Sequence, residues 1–375
     1  MKLIIAEKPS VGRTLGAVLG VNNKNNGYLE GNGYIISWCI GHLVGLANPD
    51  VYDEKYAKWN MSDLPIIPEQ WRLVISKSTV EQYKVLKSLM HDEKVDELIC
   101  ATDAGREGEC IFRYVYNLAS CKKPVKRLWT SSLEEKALLK ALEDLKPINL
   151  YDNLFKAGFA RAKADWIVGF NASRLFSIKY PNKGGLSIGR VQTPTLNMIV
   201  KRDEDIRNFV KTPFYIVEID CGEFKAYSEK FEEKSQAEII STLCNEKTAT
   251  VIEVKNEIKK INPPKLYDLT TLQREANRIF GYTAQQTLDY AQSLYEKKLL
   301  TYPRTDSNYI TDDMEQTVTE LIPILLNNLS IASEIKMENP NISLCINNSK
   351  VSDHHALLPT SEIIKSDLTS LTEAE

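Results

Sequence analysis

The sequence predicts a multidomain chain of mixed α/β and α+β class, opening on a Rossmann-like parallel sheet and continuing through helical and β-rich stretches. Three observations carry this. Over residues 1–150 short apolar strands alternate with helix-like pieces, the texture of a parallel sheet with crossover helices. Residues 151–210 read as helix throughout. Between 213 and 262 the pattern turns to β-type segments, ended by the breaker NPPK at 262–265, after which the chain is helical again.

In order, KLIIA is a short apolar strand and SVGRTLGAVLG a helix opened by Ser10. GYIISWCIGHL is strand-like, DELICAT is a second apolar strand, and CIFRYVYNLA is the helix after it. FYIVEID and TATVIEVKNEIKKI supply the β-type section. YTAQQTLDYAQSLYEKK is a helix that leaves Tyr302 just beyond its end, because Pro303 disfavours helical backbone for the residue ahead of it. Thr372 and Glu375 in LTSLTEAE have capping-box spacing with no helix after them. A truncated chain is one reading of that end, a frayed polar tail the other.

The totals exclude several classes. Among 375 residues, 47 are basic and 50 acidic, for a formal charge of -3. Such a body does not coat nucleic acid indiscriminately, so any nucleic-acid site must be a local basic patch. Seven scattered cysteines without a CxxC pair encode neither a zinc ribbon nor a disulfide framework, and fit a reducing, cytoplasmic setting. No apolar run reaches the ~18 residues of a membrane span, and LIIA is too short for a signal peptide.

Three groups of residues carry chemistry. KKLLTYPRTDS, 297–307, holds a phenol on stiff backbone two residues from Arg304; a surface turn with a packed ring is the bland alternative. Glu7 ends the first strand and Asp103 follows ELICAT, with Glu107 and Glu109 just beyond. Ligands of open α/β sheets bind outside the strands' carboxyl ends. If the two strands are neighbours, Glu7, Asp103 and Glu107 converge, and clustered carboxylates with room for water suit Mg²⁺. Lys8 beside them can donate a proton or hold a phosphate; for Asp103 alone, helix capping is the competing role. The third group is residues 155–194, with seven basic residues against Asp165 alone and with Phe155, Phe159, Trp166, Phe170, Phe176 and Tyr180 interleaved. Charge plus aromatic faces is how proteins follow a single nucleic-acid strand, but the helical spacing fits core packing equally. In the KGGLSIGRVQTP loop, glycines permit close phosphate approach while Ser187, Arg190 and Gln192 offer donors.

Together IAEKPSVGRTL, WCIGHLVGLANPDVYDEKYAKWNMSDLPIIP, ATDAGREGE, LWTSSL, ARAKADWIVGFNASRL, LSIGRVQTPTL, LYDLTTLQREANRIFGYTAQQTLDYAQSLYE, LTYPRTDS and DHHALLPT, in this order, resemble the type IA DNA topoisomerases over essentially the whole chain. The resemblance implies a Toprim domain over 1–150 and the first part of a helical DNA-binding domain over 151–212. It further implies the first part of a β-rich arch over 213–264, and a helical domain with the catalytic tyrosine over 265–375, lacking its end. Tyr302 then matches the nucleophile that forms a 5′-phosphotyrosine, Arg304 the phosphate-positioning arginine, and Lys8 the lysine that protonates the leaving 3′ oxygen. Glu7, Asp103 and Glu107 match the acidic Mg²⁺ cluster, and His354 the histidine near the scissile phosphate. Trp59, Trp166, Arg174, Ser187, Ile188, Gly189, Arg190, Val191 and Gln192 match positions in or beside the DNA path.

One departure matters: the family's DxDxE reads Asp103-x-Gly105-x-Glu107, leaving the number of metal ions open. The activity implied is ATP-independent relaxation or decatenation of DNA by a monomer acting on single-stranded segments, and there is no GxxxxGK[ST] loop for ATP. Two alternatives stand beside it. One is a Toprim-containing fragment that binds single strands without turnover. The other is a nuclease or relaxase, disfavoured because His354-His355 lacks a His-x-His arrangement and a nuclease has no need of Tyr302 beside Arg304.

Overall fold

The computed structural model describes residues 1–130, 133, 135–181, 184–328, 341–351, 354–364 and 366–375. Lys183 of the basic stretch, Ser131 and Ser132 of LWTSSL and Asp353 of DHHALLPT lie outside them. The chain forms two compact units, one from Met1–Ile188 with Pro264–Glu375 and one from Gly189–Pro263.

The first unit begins β1 (Lys2–Ala6), α1 (Pro9–Val18), β2 (Asn23–Asn25), β3 (Tyr28–Gly31), β4 (Tyr34–Trp38), β5 (Val44–Leu46), α2 (Pro49–Tyr52) and β6 (Leu73–Ile75). It continues α3 (Val80–His91), β7 (Glu97–Ala101), α4 (Arg106–Leu118), β8 (Val125–Arg127), α5 (Glu135–Glu143), β9 (Lys146–Pro147) and the 28-residue α6 (Asp152–Lys179). Seven strands make one sheet in the order β2-β3-β4-β1-β7-β8-β9, and β4, β1, β7 and β8 run parallel. Alternation along β1 sends its side chains to two cores. Leu3 and Ile5 join Leu86 of α3 and Phe112 of α4, while Ile4 and Ala6 join Val11 and Leu15 of α1 and Leu138 of α5. Both faces are covered, which is why KLIIA and ELICA read as continuous apolar runs. Ala6 pairs with Ala101 in the register, so the residues after β1 and β7 emerge side by side at one sheet edge.

Two local expectations shift. α1 opens at Pro9, not Ser10, because proline suits the first helical position, where no N–H bond is required. GYIISWCIGHL supplies only β4, whose pairing with β1 stops at Trp38.

The second unit holds α7 (Gln192–Arg207), a hairpin of β10 (Glu218–Asp220) and β11 (Lys225–Tyr227), and α8 (Lys234–Cys244). Here the sequence overstates β-structure. FYIVEID yields only β10 and an isolated bridge from Tyr215 to Phe231. TATVIEVKNEIKKI, 248–261, forms no strand, because no described neighbour pairs with its backbone groups.

Back in the first unit come α9 (Leu269–Phe280), α10 (Ala284–Glu296) and α11 (Glu315–Asn328). Gly281, at φ 72°, ends α9, and a Thr283–Gln286 capping box opens α10. Ile310, Met314, Val318, Ala356 and Leu358 form a small core beneath them. No helix among the described residues is long and apolar enough to cross a membrane.

Candidate active site

The site begins at the paired carboxyl ends of β1 and β7. Glu7 follows Ala6, and its Oε2 accepts the backbone N–H of Asp103 at 3.0 Å. The turn bearing Asp103 is tight: a Cβ on Gly108 would lie 2.1 Å from the Asp103 carbonyl oxygen, so only glycine fits. Arg127, fully buried at the end of β8, braces the same turn. It donates to the carbonyls of Thr102 at 2.7 Å and Asp103 at 2.6 Å, while its Nε donates to buried Glu109 at 2.6 Å. Extended backbone at Lys8 (φ −139°, ψ 154°) precedes α1. Its ammonium reaches Glu7 at 3.6 Å and Asp103 at 3.7 Å.

The phenol arrives from the other end of the sequence. Past α10, Lys298 adopts φ 62° and turns the chain. Thr301 is then fixed to Leu358 by reciprocal hydrogen bonds of 2.8 and 2.9 Å, and Thr305 donates to the His354 carbonyl at 3.2 Å. Tyr302, on non-helical backbone, accepts the Lys8 ammonium at 3.2 Å. The His354 ring lies 4.4 Å from the Tyr302 ring, and His354 Nε2 stands 3.6 Å from Asp103. Glu7, Lys8, Asp103, Tyr302 and His354 therefore share one place. His355 does not: it is buried on the Ala356 carbonyl, and burial lowers its pKa.

Charge in the site is unevenly held. Burial, then the nearby Asp103 charge, pushes the Glu7 carboxyl up to about 7. Burial acts in the same sense on Asp103, yet the hydrogen bond from His354 and the charge of Lys8 hold it below its ordinary range. Burial works to lower the Lys8 ammonium, but Asp103 and Glu7 overcome it and raise its pKa. Two crowded, largely buried carboxylates with only an ammonium between them are a donor set that fits a hard divalent cation.

Glu107 does not join them. Its carboxylate pairs with Arg161 of α6 at 3.4 Å and with His42 at 3.5 Å, beside a cavity of about 360 Å³ also lined by Tyr114 and Asp165. Among the described residues no three His, Cys, Asp or Glu side chains converge as ligands, and Glu107 stands apart from Glu7 and Asp103 on its own partners. The cause is local: α4 starts at Arg106, and its first turn carries Glu107 toward α6, where a cation already stands. Arg304 is exposed and makes no ion pair with a described residue.

The residues matched to a DNA path divide. Trp166 is 6% exposed, donates its Nε1–H to the Ala47 carbonyl at 2.8 Å and meets Trp71 edge-on, so its ring is core and offers no stacking face. Arg174 is buried, with its Nε unbonded, and its guanidinium lies 5.5 Å from the half-exposed Trp59 ring. Ser173 receives the Ile188 N–H at 2.9 Å, fixing the loop that displays Ser187. Gly189, Arg190, Val191 and Gln192 belong to the second unit, where the Gly189 N–H bonds Thr193.

Sequence reasoning missed Arg127, Gly108 and Tyr295. Tyr295 meets the Tyr302 ring edge-on at 5.4 Å and 73°, and burial raises its hydroxyl to about 12. The signal was present: Thr287, Ala291 and Tyr295 recur every four residues on one face of α10.

Fold and site together define a Toprim-type α/β protein joined to a tyrosine-bearing helical region. The Toprim domain model matches residues 2–133 and the DNA topoisomerase model residues 149–375. The chain belongs to the type IA DNA topoisomerase family. It is 43% identical over 371 residues to DNA topoisomerase 3 of Bacillus cereus, a match covering 96% of this chain and 50% of the relative. To DNA topoisomerase 3 of Staphylococcus epidermidis it is 41% identical over 380 residues, covering 100% and 53%. The solved structure of full-length topoisomerase I from Thermotoga maritima is similar at 25% identity with a TM-score of 0.62, over 96% of this chain and 55% of that one. The chain thus spans about half the length of the curated relatives it matches.

Proposed function

We propose that the chain cleaves single-stranded DNA by a transient tyrosyl ester, the first half of an ATP-independent relaxation or decatenation cycle. The observation that carries this reading is the Lys8 ammonium 3.2 Å from the Tyr302 hydroxyl, beside two carboxylates. Tyr302 Oη gives up its proton to solvent as it attacks the phosphorus, the Tyr–O–P bond forms and the bond from phosphorus to the 3′ oxygen breaks, the 3′ oxygen leaving as a hydroxyl. Lys8 orients the phenol oxygen and offsets charge building on it. Held protonated by Glu7 and Asp103, it has a proton for the departing 3′ oxygen. His354 packs against the phenol ring and holds Asp103 in place. Arg304, exposed and unpaired within the described chain, binds the phosphate oxygens. Glu7 and Asp103 would hold Mg²⁺, which supplies charge neutralisation when bound. Religation reverses the ester, so no nucleotide hydrolysis is required.

The domain limits proposed are 1–150, 151–212, 213–264 and 265–375; the two family matches, over 2–133 and 149–375, support the first of them. Trp59, Arg174, Ser187 and Ile188 of the first unit would guide the strand; Gly189, Arg190, Val191 and Gln192 of the second are proposed as DNA contacts of their own unit. A cytoplasmic location follows from DNA as the partner. The test is to incubate the chain with Mg²⁺ and labelled single-stranded DNA, then denature it. We expect the protein joined to the 5′ phosphate end of the downstream fragment, an adduct that Tyr302→Phe abolishes. Free ends without adduct would indicate a nuclease, and binding without cutting an inert single-strand-binding fragment.

A further inference from the structure

Two phenols stand on the two arms of one turn. Tyr295 occupies the last turn of α10, and Tyr302 lies beyond the reversal that follows it. Between them the Lys298 N–H bonds the Tyr295 carbonyl and the Leu299 N–H bonds the Leu294 carbonyl, each at 2.9 Å. Lys298 itself takes the left-handed φ of 62° that turns the chain. The outgoing arm is tied down as well: the Thr360 N–H bonds the Leu299 carbonyl at 3.0 Å, and Leu300 bridges to Pro359. On the helical arm Ala291 and Thr287, one and two turns before Tyr295, are buried, so the packed face of α10 carries Tyr295 into the site. Both rings are therefore borne on fixed backbone.

The Tyr302 ring is enclosed by three side chains: the Lys8 ammonium 4.3 Å from its centre, the His354 ring at 4.4 Å and the Tyr295 ring edge-on at 5.4 Å. Lys8 and His354 have partners of their own, in the Tyr302 oxygen and in Asp103. Tyr295 differs. Its hydroxyl has no hydrogen-bond partner among the described residues, although the charges of Lys8, Asp103, Tyr302 and Glu7 all bear on it. Burial outweighs each of these and keeps the proton on the oxygen. A half-buried donor without an acceptor, in a site whose substrate brings charged oxygens, has its acceptor in that substrate.

We infer that Tyr295 is a further catalytic residue, its hydroxyl donating a hydrogen bond to a non-bridging oxygen of the phosphate that Tyr302 attacks. Lys8 serves the oxygens that enter and leave, whereas Tyr295 serves the charge that builds on the oxygens between them. The Tyr295 proton stays on its own oxygen, so the cleavage step gains no proton transfer. This role presupposes cleavage by Tyr302. The competing role is a ring that only wedges Tyr302 in place, and Tyr295→Phe separates the two because it keeps the ring and removes the hydroxyl.

Single-turnover cleavage of labelled single-stranded DNA, beside binding titrations, tests it. Tyr295→Phe should cleave about 10²-fold more slowly, with single-strand affinity and thermal midpoint unchanged. Tyr295→Leu, lacking the ring as well, should fall further. A sharper signature comes from sulfur in place of one non-bridging oxygen at the scissile phosphate, since sulfur accepts hydrogen bonds poorly. The unsubstituted chain should cut one of the two diastereomers slowly, in Mn²⁺ as in Mg²⁺, and Tyr295→Phe should shrink that penalty about tenfold. Cleavage at full rate by Tyr295→Phe overturns this role alone, as does a penalty that it leaves unchanged at both diastereomers. An adduct that persists in Tyr302→Phe and disappears when Tyr295→Phe is added overturns it too, because Tyr295 would then be a nucleophile. Absence of any adduct from the unsubstituted chain overturns the cleavage reading itself, and this role with it.

Discussion

Glu7 is the residue on which the site's electrostatics turn. Its carboxyl sits at about 7, above its ordinary 4.5, so the folded chain binds this proton more tightly than the unfolded chain. The stabilisation is full below about pH 4.5 and is lost as pH rises through 7. With chelator present, Glu7→Gln should therefore gain up to about 3 kcal/mol on the wild type between pH 5 and pH 8. Urea unfolding at the two pH values measures this, and parallel losses in both proteins would contradict the charge-crowding account. Arg127 makes the opposite point. Arg127→Met leaves fully buried Glu109 with Arg113 as its remaining cation and should cost about 3–5 kcal/mol, whereas Arg127→Met with Glu109→Leu should recover part of it. Denaturant midpoints of the two variants decide between an ion pair that braces the Asp103 turn and one that merely fills space.

At the scale of elements, the site depends on one register and two turns. Ala6 opposite Ala101 was legible in outline, because two apolar strands followed by acids imply neighbouring carboxyl ends. Tyr302 beyond α10 was legible too, since Pro303 and the helix pattern agree. The ion pair of Glu107 with the distant Arg161 was not, since nothing local in the sequence links the two. Nor was the fate of residues 248–261, since alternation reports strand propensity but not whether a neighbour exists. Arg127 escaped because a charged residue in a short strand carries no sequence sign of the four carbonyls it serves. Gly108→Ala places a methyl inside contact distance of the Asp103 carbonyl. It should displace that turn at a cost of about 1–3 kcal/mol, with adduct formation falling far more than single-strand affinity; equal falls would point to general damage. Thr283→Ala removes one half of the α10 capping box and should lower stability by about 1 kcal/mol in thermal unfolding, leaving cleavage at permissive temperature unchanged.

At the scale of the whole molecule, Lys8 and Tyr302 meet although nearly three hundred positions separate them. That meeting joins a proton-bearing sheet edge to a phenol-bearing helical region, each incomplete without the other. Arg304→Ala should reduce cleavage about 10²–10³-fold while single-strand affinity barely changes, because charge on the attacked phosphate develops in the transition state. Binding titrations beside single-turnover cleavage separate the two. The most direct test replaces the bridging 3′ oxygen of the scissile bond with sulfur, a leaving group that needs no proton. Lys8→Ala should cut oxygen-bridged DNA about 10²–10⁴-fold more slowly yet recover most of the wild-type rate on the sulfur-bridged strand, with Tyr302 still carrying the adduct. An equal loss on both substrates would contradict the account, since Lys8 would then not act on the bond that Tyr302 breaks.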